Sequence, residues 1–525
     1  MTNNSTSLAR VIVRQIIEAG ITDVVISPGS RNAPLSLAFF AAAAKQLITI
    51  HVRLDERTAA FFALGIIKAT GRAVPVVCTS GTAVANYHPA VLEAHHTNLP
   101  LLVLTADRPA MLRKTGANQT TEQARIFGNA VRYFADVDGP VFPMELPLDS
   151  LRLGPVHLNL QFDDPLLPDE SAEWLSQIQV RRVDFVATKN LGILRLVGAR
   201  GVVVIGHDRG GLSVVEITAF IKVLGWPVIA EDPLSFPNAV AHAAIFLASQ
   251  EIRSTLIPQS VLVIGRTTLS RSINTFIKSS PLIYVVDQRI ATVDTDRQAD
   301  RLFTQLPELQ GVIHSDDWIA KWRKISERAH KLIDALAGWN EAVIARTIAA
   351  AIPDGTALFV ASSRPIRDLE GFATPRSGVI TYANRGLAGI DGNISTALGV
   401  AHGHKATIAL LGDLSFLHDL TGLVNKEAIN CRFIVINNDG GGIFSTLPQR
   451  GVVGFETVFG TPHGLNPAAI AQSMGVNAKQ ISTLKELVAQ VTAPINGISV
   501  VVCDVPNRET NADNLKAIIA ALAAI

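Results

Sequence analysis

Short Val/Ile-rich runs alternate with helix-like stretches along almost the whole chain, and this alternation dictates the fold class. The early runs lie at 24–27, 74–79, 101–105 and 156–160, with helical patterns at 33–44, 56–69 and 82–95 between them. Runs at 201–206, 228–230, 261–265 and 282–287 form a second set, and runs at 357–361, 379–382, 406–411, 432–436 and 499–505 a third. Strands that are apolar on both faces must be covered on both faces, which is the pattern of a parallel sheet wrapped by helices. The expected class is α/β, with three doubly wound parallel-sheet domains at 1–180, 190–330 and 345–525. A polar, Pro-containing stretch at 163–182 reads as a linker, and a charged helical connection at 316–341 leads into the third unit. A length of 525 residues suits about three domains of ordinary size.

Composition narrows the partners. The net charge is +1 and no Lys/Arg block occurs, which argues against nucleic acid or an anionic membrane as partner. No apolar run reaches the length of a membrane span, so no membrane insertion is expected. Near the N-terminus, 11–19 is interrupted by Arg14 and Glu18 and reads as an amphipathic helix, not a signal peptide; a cytoplasmic location is the expectation. Cys78, Cys431 and Cys503 sit inside apolar runs, as buried free thiols would.

The densest chemistry lies between 411 and 444. Asp413 follows the run at 406–411, and Asn437-Asn438-Asp439-Gly440-Gly441-Gly442 follows the run at 432–436. Ligands of open α/β sheets bind at the carboxyl ends of strands. Asp413 and Asn438 offer hard oxygen ligands for a Mg2+-like ion, and Gly440 can add a main-chain carbonyl. The glycines let a diphosphate approach backbone N–H groups. Taken singly, each half is better read as an ordinary Gly/Asn turn after a buried strand or a helix-capping Asp. The glycine turn 207–212 lacks a full dinucleotide-binding pattern and carries little.

Further motifs stand in the first unit: Ser27-Pro28-Gly29-Ser30-Arg31, Leu54-Asp55-Glu56-Arg57, Cys78-Thr79-Ser80-Gly81, Ala106-Asp107-Arg108-Pro109 and Gly116-Ala117-Asn118-Gln119. Together with Asn384-Arg385-Gly386 through Gly392 and the 437–444 passage, this set resembles the thiamine diphosphate (ThDP)-dependent 2-succinyl-5-enolpyruvyl-6-hydroxy-3-cyclohexene-1-carboxylate (SEPHCHC) synthases of menaquinone biosynthesis. The resemblance covers both terminal units, and the middle unit matches it far less. It implies a pyruvate decarboxylase-like architecture of pyrimidine-binding, central and diphosphate-binding domains. It also implies a homodimer with shared active sites, or a homotetramer.

The same resemblance assigns residues. Glu56 is the implied catalytic carboxylate; bonded to the cofactor's pyrimidine, it favours the tautomer that removes the thiazolium proton. A Glu in the first turn of a helix also simply suits the helix dipole. Implied cofactor contacts are Glu56, Ser80, Gly81, Gly389, Ile390, Asp413, Leu414, Ser415, Asn438, Gly440, Gly441 and Ile443, with Asp413, Asn438 and Gly440 holding Mg2+ or Mn2+. Implied substrate contacts are Ser30, Arg31, Arg108, Asn118, Gln119, Arg271, Ser363, Arg367, Arg385, Ile443 and Phe444. One arginine at a strand end is most often a solvated charge. Four of them (Arg31, Arg108, Arg367 and Arg385) suit two substrates with two carboxylates each, because guanidinium forks bind carboxylates bidentately. In the central unit the family has a basic pair; Ser270-Arg271, with Arg266 nearby, is the nearest stretch and departs from it.

The implied reaction is decarboxylation of 2-oxoglutarate and conjugate addition of the succinyl unit to isochorismate, in a closed pocket that excludes water. A different ThDP carboligase, such as an acetolactate synthase, and a non-catalytic ThDP-fold binding protein are the alternatives. A small apolar donor would not need several arginines.

Overall fold

The computed structural model describes residues 4–139, 145–168, 173–180, 192–196, 198–289, 298–425 and 427–524. Of the expected linker at 163–182, residues 169–172 and 181–182 lie outside the described residues, as does residue 190, the expected start of the central unit.

Three parallel sheets organise the chain. The first runs in the order Thr49–Val52, Asp23–Ile26, Val74–Cys78, Leu101–Asp107, Val156–Gln161, Tyr133–Asp138. The last runs Ile380–Tyr382, Ala357–Val360, Thr407–Gly412, Cys431–Asn437, Ile498–Asp504, Asn477–Ile481. Counted along the chain, both sheets have strand order 2-1-3-4-6-5, so they share one topology. The middle sheet has five strands, Arg301–Phe303, Ile283–Val286, Ser260–Ile264, Gly201–Ile205 and Val228–Ala230, which is the 2-1-3-4-5 order of flavodoxin-like folds. The chain divides into two compact units. One comprises Met1–Ala187, Asp391–Lys405 and His418–Ile429; the other comprises Thr188–Ile390, Ala406–Leu417 and Asn430–Ile525.

The central strands match the apolar runs because burial on both faces leaves no room for polar alternation: Val74–Cys78, Gly201–Ile205 and Ala357–Val360 are buried throughout. Thr49–Val52, Tyr133–Asp138 and Asn477–Ile481 escape a search for such runs. Each is an edge strand with an exposed face. Two helical readings need correction. The pattern at 82–95 is two helices, Thr82–Asn86 and His88–Thr97, because Pro89 in the second helix's first turn has no N–H to continue the first. The connection at 316–341 contains helix Asp316–Asp334; Gly338 (φ 90°) breaks it, and a new helix, Glu341–Ala351, starts where the Asn340 side chain accepts from Val343 N.

In the first unit, helix Glu56–Thr70 is capped by Asp55, whose carboxylate accepts from Arg57 N, and stops at Gly71 in the left-handed region. It crosses helix Asn393–His402 at very short range. A Cβ on Gly65 would meet Thr396 O at 2.1 Å, and one on Gly399 would meet Phe62 O at 2.1 Å. Only glycine allows that approach, and it fixes the helix that carries Glu56.

Candidate active site

In a 2-1-3-4 sheet the winding reverses between strands 1 and 3, and the crevice opens at their carboxyl ends. In the first unit these ends carry Ser27 to Arg31 and Thr79 to Gly81. The two loops touch: a Cβ on Gly29 would lie 2.3 Å from Thr79 Cβ. Arg108, just past the neighbouring strand, donates from Nη1 to Ser80 Oγ and to Gln119 O, each at 2.7 Å. Ser80 Oγ also donates to Gln119 O, and Gly81 (φ 85°) lies against the Gln119 side chain. The structure thus brings Ser80, Gly81, Arg108 and Gln119 together. Gln119 and Asn118 are exposed, as is Ser30. Arg31 donates to Phe162 O at 3.0 Å. Burial lowers the Arg108 pKa, and the Arg31 charge lowers it further, so two cations share this edge. An anion would relieve their repulsion.

Glu56 is the first residue of its helix and half-buried. Burial pushes the Cys78 thiol and the Tyr87 hydroxyl well above their ordinary values, and the Glu56 carboxylate adds to both. Both neighbouring groups, buried and shifted upward, are held neutral.

Beneath Arg108 lies a polar layer that the apolar-run pattern does not reveal. Asp107 accepts from Arg108 N at 2.8 Å and from Asn159 Nδ2 at 2.9 Å. Gln123, fully buried, donates to Asn159 Oδ1 and accepts from Gly81 N. Arg113 pairs with Asp107 and Asp136. The signal in the sequence is the polar series Thr105, Asp107 and Asn159 inside otherwise apolar strands.

In the second unit, Thr407–Gly412 and Cys431–Asn437 end side by side, with Gly412 opposite Ile436. Asp413 Oδ1 accepts from Leu414 N at 2.7 Å and Oδ2 from Gly440 N at 2.8 Å, which ties the two strand ends together. Burial raises the Asp413 pKa, against the hydrogen bonds that favour its charge. Asn438 donates from Nδ2 to Glu341 Oε1 at 2.7 Å, while its Oδ1 is buried without a hydrogen-bond partner. A buried acceptor oxygen without a donor, beside a buried carboxylate, fits a cation ligand set. The loop allows close approach as well: a Cβ on Gly440 would meet Gly460 O at 2.1 Å, and one on Gly441 Phe459 O at 2.2 Å. Ile443 and Phe444 follow, half-buried, and the Phe444 ring packs tilted against Phe459 with centroids 5.6 Å apart. Ser415 Oγ donates to Ile390 O at 3.1 Å, next to Gly389.

Four residues here went unforeseen: His463, Glu341, Arg364 and Asp368. His463 accepts from Leu465 N on Nδ1, so its Nε2 donates to Asp413 Oδ2 at 3.3 Å. Glu341 holds Asn438 and lies 3.4 Å from Arg364, which also pairs with Asp368. Burial lifts the Asp368 pKa to about 7.

The remaining arginines differ from one another. Ser363 has φ 72° and caps helix Arg364–Phe372, and Arg367 Nη1 donates back to Ser363 O at 2.7 Å. Arg385 is nearly inaccessible; its Nη2 bonds both Glu231 oxygens at 2.9 and 3.1 Å, and its Nε has no hydrogen-bond partner. Arg271 is exposed at the start of helix Arg271–Lys278, and Arg266 lies 3.6 Å from Asp208.

Comparison with known proteins agrees with this layout. The family model "Thiamine pyrophosphate enzyme, N-terminal TPP binding domain" matches residues 6–126, "Middle domain of thiamine pyrophosphate" matches 168–360, and the C-terminal TPP binding domain matches 369–505. Benzoylformate decarboxylase from Polynucleobacter necessarius has the same fold, with a TM-score of 0.65 at 16% identity over 96% of this chain and 99% of that one. The SEPHCHC synthase of Thermobifida fusca is 38% identical over 92% of this chain and 93% of its own length. That of Nocardioides sp. is 39% identical over 95% and 94%. That of Bacillus velezensis is 36% identical over 89% and 88%. The chain belongs to the SEPHCHC synthase family of thiamine pyrophosphate enzymes.

Proposed function

We propose that this enzyme decarboxylates 2-oxoglutarate and adds the succinyl unit to isochorismate, giving 2-succinyl-5-enolpyruvyl-6-hydroxy-3-cyclohexene-1-carboxylate and CO2, with ThDP and Mg2+ or Mn2+. The observation that carries the reading is the partnerless, buried Asn438 Oδ1 beside Asp413 at adjoining strand ends. Asp413, Asn438 and the Gly440 carbonyl would hold the ion, and the glycine-lined backbone through Gly441 would take the diphosphate oxygens. Leu414, Ser415, Gly389 and Ile390 line the same edge, with Ser80 and Gly81 on the other unit.

Bound ThDP supplies a carbon nucleophile for the keto carbon of the oxo acid and accepts the electrons left when CO2 departs. Glu56 holds a proton against the pyrimidine ring nitrogen, a charge-assisted bond that is strong in a half-buried pocket. Arg31 and Arg108, two cations at one edge, receive substrate carboxylates; Ser30, Asn118 and Gln119 orient them. Arg367 and Ser363 act likewise in the second unit, where Arg385 is braced by Glu231, and Arg271 is the central unit's exposed cation. Ile443 and Phe444 exclude water, which prevents early protonation and release of semialdehyde. Glu56 and Asp413 come from different chains of a homodimer, possible also within a tetramer of such dimers.

The names of the relatives support the substrates, and so does the arginine pair: a pyruvate-using acetolactate synthase has no distal carboxylate to bind. The test mixes purified protein with ThDP, Mg2+, 2-oxoglutarate and isochorismate and follows isochorismate absorbance. Loss that needs all four components, with the product mass found, is the expected result. Acetolactate from pyruvate, or cofactor binding without turnover, would overturn the assignment.

A further inference from the structure

Away from the carboxyl edges, three metal-ligating atoms converge in the first unit. Asp23 Oδ1 lies 3.1 Å from His51 Nε2 and 3.3 Å from His402 Nε2. All three donor atoms lie within 4.8 Å of one another. Ligands placed tetrahedrally around an ion at zinc distances stand about 3.3 Å apart. The surroundings complete the pattern. His51 Nδ1 donates to Glu427 Oε2 at 2.8 Å, the carboxylate–histidine relay that orients metal-binding imidazoles and turns the other nitrogen's lone pair inward. Thr22 Oγ1 donates to Asp23 Oδ2 at 2.7 Å, so Oδ1 is the oxygen left for the ion. Arg72 stands 3.5 Å from Asp23 Oδ2 and Arg53 3.3 Å from Glu427 Oε1, both behind the carboxylates.

The location separates this cluster from the cofactor. Asp23 opens its strand, whereas Ser30 and Arg31 follow the strand's other end. Glu427 precedes the strand whose far end leads to Asn438, and His402 ends the helix that precedes the strand leading to Asp413. Asp23, His402 and Glu427 thus lie at or before amino ends of strands, and His51, the third residue of strand Thr49–Val52, reaches Asp23 through its ring. Asp23 and His51 are buried, and the His402 side chain is 32% exposed, which leaves the cluster open to solvent on one side.

We propose that Asp23, His51 and His402, with Glu427 behind His51, form a second metal site for a zinc-class divalent ion. Two imidazoles and one carboxylate select Zn2+ over the hard Mg2+ of the cofactor. The ion clasps the C-terminal end of helix Asn393–His402 to the first strands. That helix is the one whose Gly399 lies against helix Glu56–Thr70, so the clasp secures the crossing that fixes Glu56.

The test uses the full chain stripped by chelation, reloaded with ThDP and Mg2+, and then dialysed against Zn2+ or Co2+. One Zn2+ per chain by elemental analysis, tetrahedral Co2+ absorption in the visible, and a Zn2+-dependent rise in melting temperature are expected. His402→Ala, at the exposed position, should lose all three. Glu427→Gln should keep the ion with affinity about 10- to 100-fold weaker. Zn2+ content equal in the parent and His402→Ala, or Co2+ without tetrahedral absorption in the parent, would overturn the site. The cluster is then an imidazolium bridging two carboxylates.

Discussion

Arg385 and Arg108 both follow strands, and changing them should fail in opposite ways. Glu231 is fully buried and accepts from Arg385 Nη2 at 2.9 and 3.1 Å, from His207 N at 2.9 Å and from Leu269 N at 2.9 Å. Arg385→Ala leaves that carboxylate with main-chain donors and no hydrogen-bonded cation, only the more distant charge of Arg367. It also faces Glu370, whose pKa burial and the Glu231 charge already push well up. Removing one partner of a buried pair costs about 3–5 kcal/mol, whereas replacing both by apolar groups of similar volume is often neutral. Arg385→Ala should therefore unfold at distinctly lower urea, and Arg385→Met with Glu231→Leu should recover much of the loss. Arg108 is only half-buried and its bonds go to Ser80 Oγ and Gln119 O, so Arg108→Ala should leave the urea midpoint near the parent's. Losing its charged hydrogen bond to substrate costs about 1.5–3 kcal/mol, or about 10- to 150-fold in kcat/KM. Urea unfolding and steady-state kinetics on the same preparations read both effects. Arg385→Ala as stable as the parent, or Arg108→Ala with normal kinetics, would refute the division.

Burial holds Asp419 at about 7, although Ser395 N and Oγ bond its carboxylate. An acid whose folded pKa is raised favours folding while protonated; that contribution is full below its ordinary value of about 4 and is lost as pH rises from there through about 7. Asp419→Asn, neutral throughout, should gain on the parent between about pH 5 and about pH 8 in denaturant midpoints; a constant difference would refute this. Glu56→Gln and Asp413→Ala, each nearly inactive alone, should restore roughly a quarter of the sites when equal amounts are refolded together, because half the dimers are mixed and each has one intact site. Confirmed chain exchange with no recovery would place both groups in one chain.

Much of this layout was legible from residues. Central strands such as Val74–Cys78 are buried on both faces, so runs such as 74–79 mark them; edge strands such as Asn477–Ile481 keep one solvated face and leave no run. The placement of Asp413 and Asn438 at adjoining strand ends was legible because each follows an apolar run, and the glycines because close backbone approach needs that residue type. His463, Glu341 and Gln123 were not, since each reaches the site from a distant segment and no local spacing announces it. The shared strand order of the first and last sheets was hidden for a related reason. It resides in connections, and both edge strands of the first sheet and one of the last carry no apolar signature. Among the described residues no helix is long and apolar enough to cross a membrane, and the three cysteines are buried and free, in line with the apolar runs around them.

The central claim is that Asp413 and Asn438 hold the metal–diphosphate end of ThDP while Glu56 activates it. Titrating ThDP with Mg2+ by circular dichroism, with CO2 release from 2-oxoglutarate followed on the same samples, separates the two roles. Asn438→Ala should lose cofactor affinity, because the buried Oδ1 is removed. Glu56→Gln should bind ThDP and release almost no CO2. Normal ThDP affinity in Asn438→Ala, or normal CO2 release from Glu56→Gln, would contradict the account.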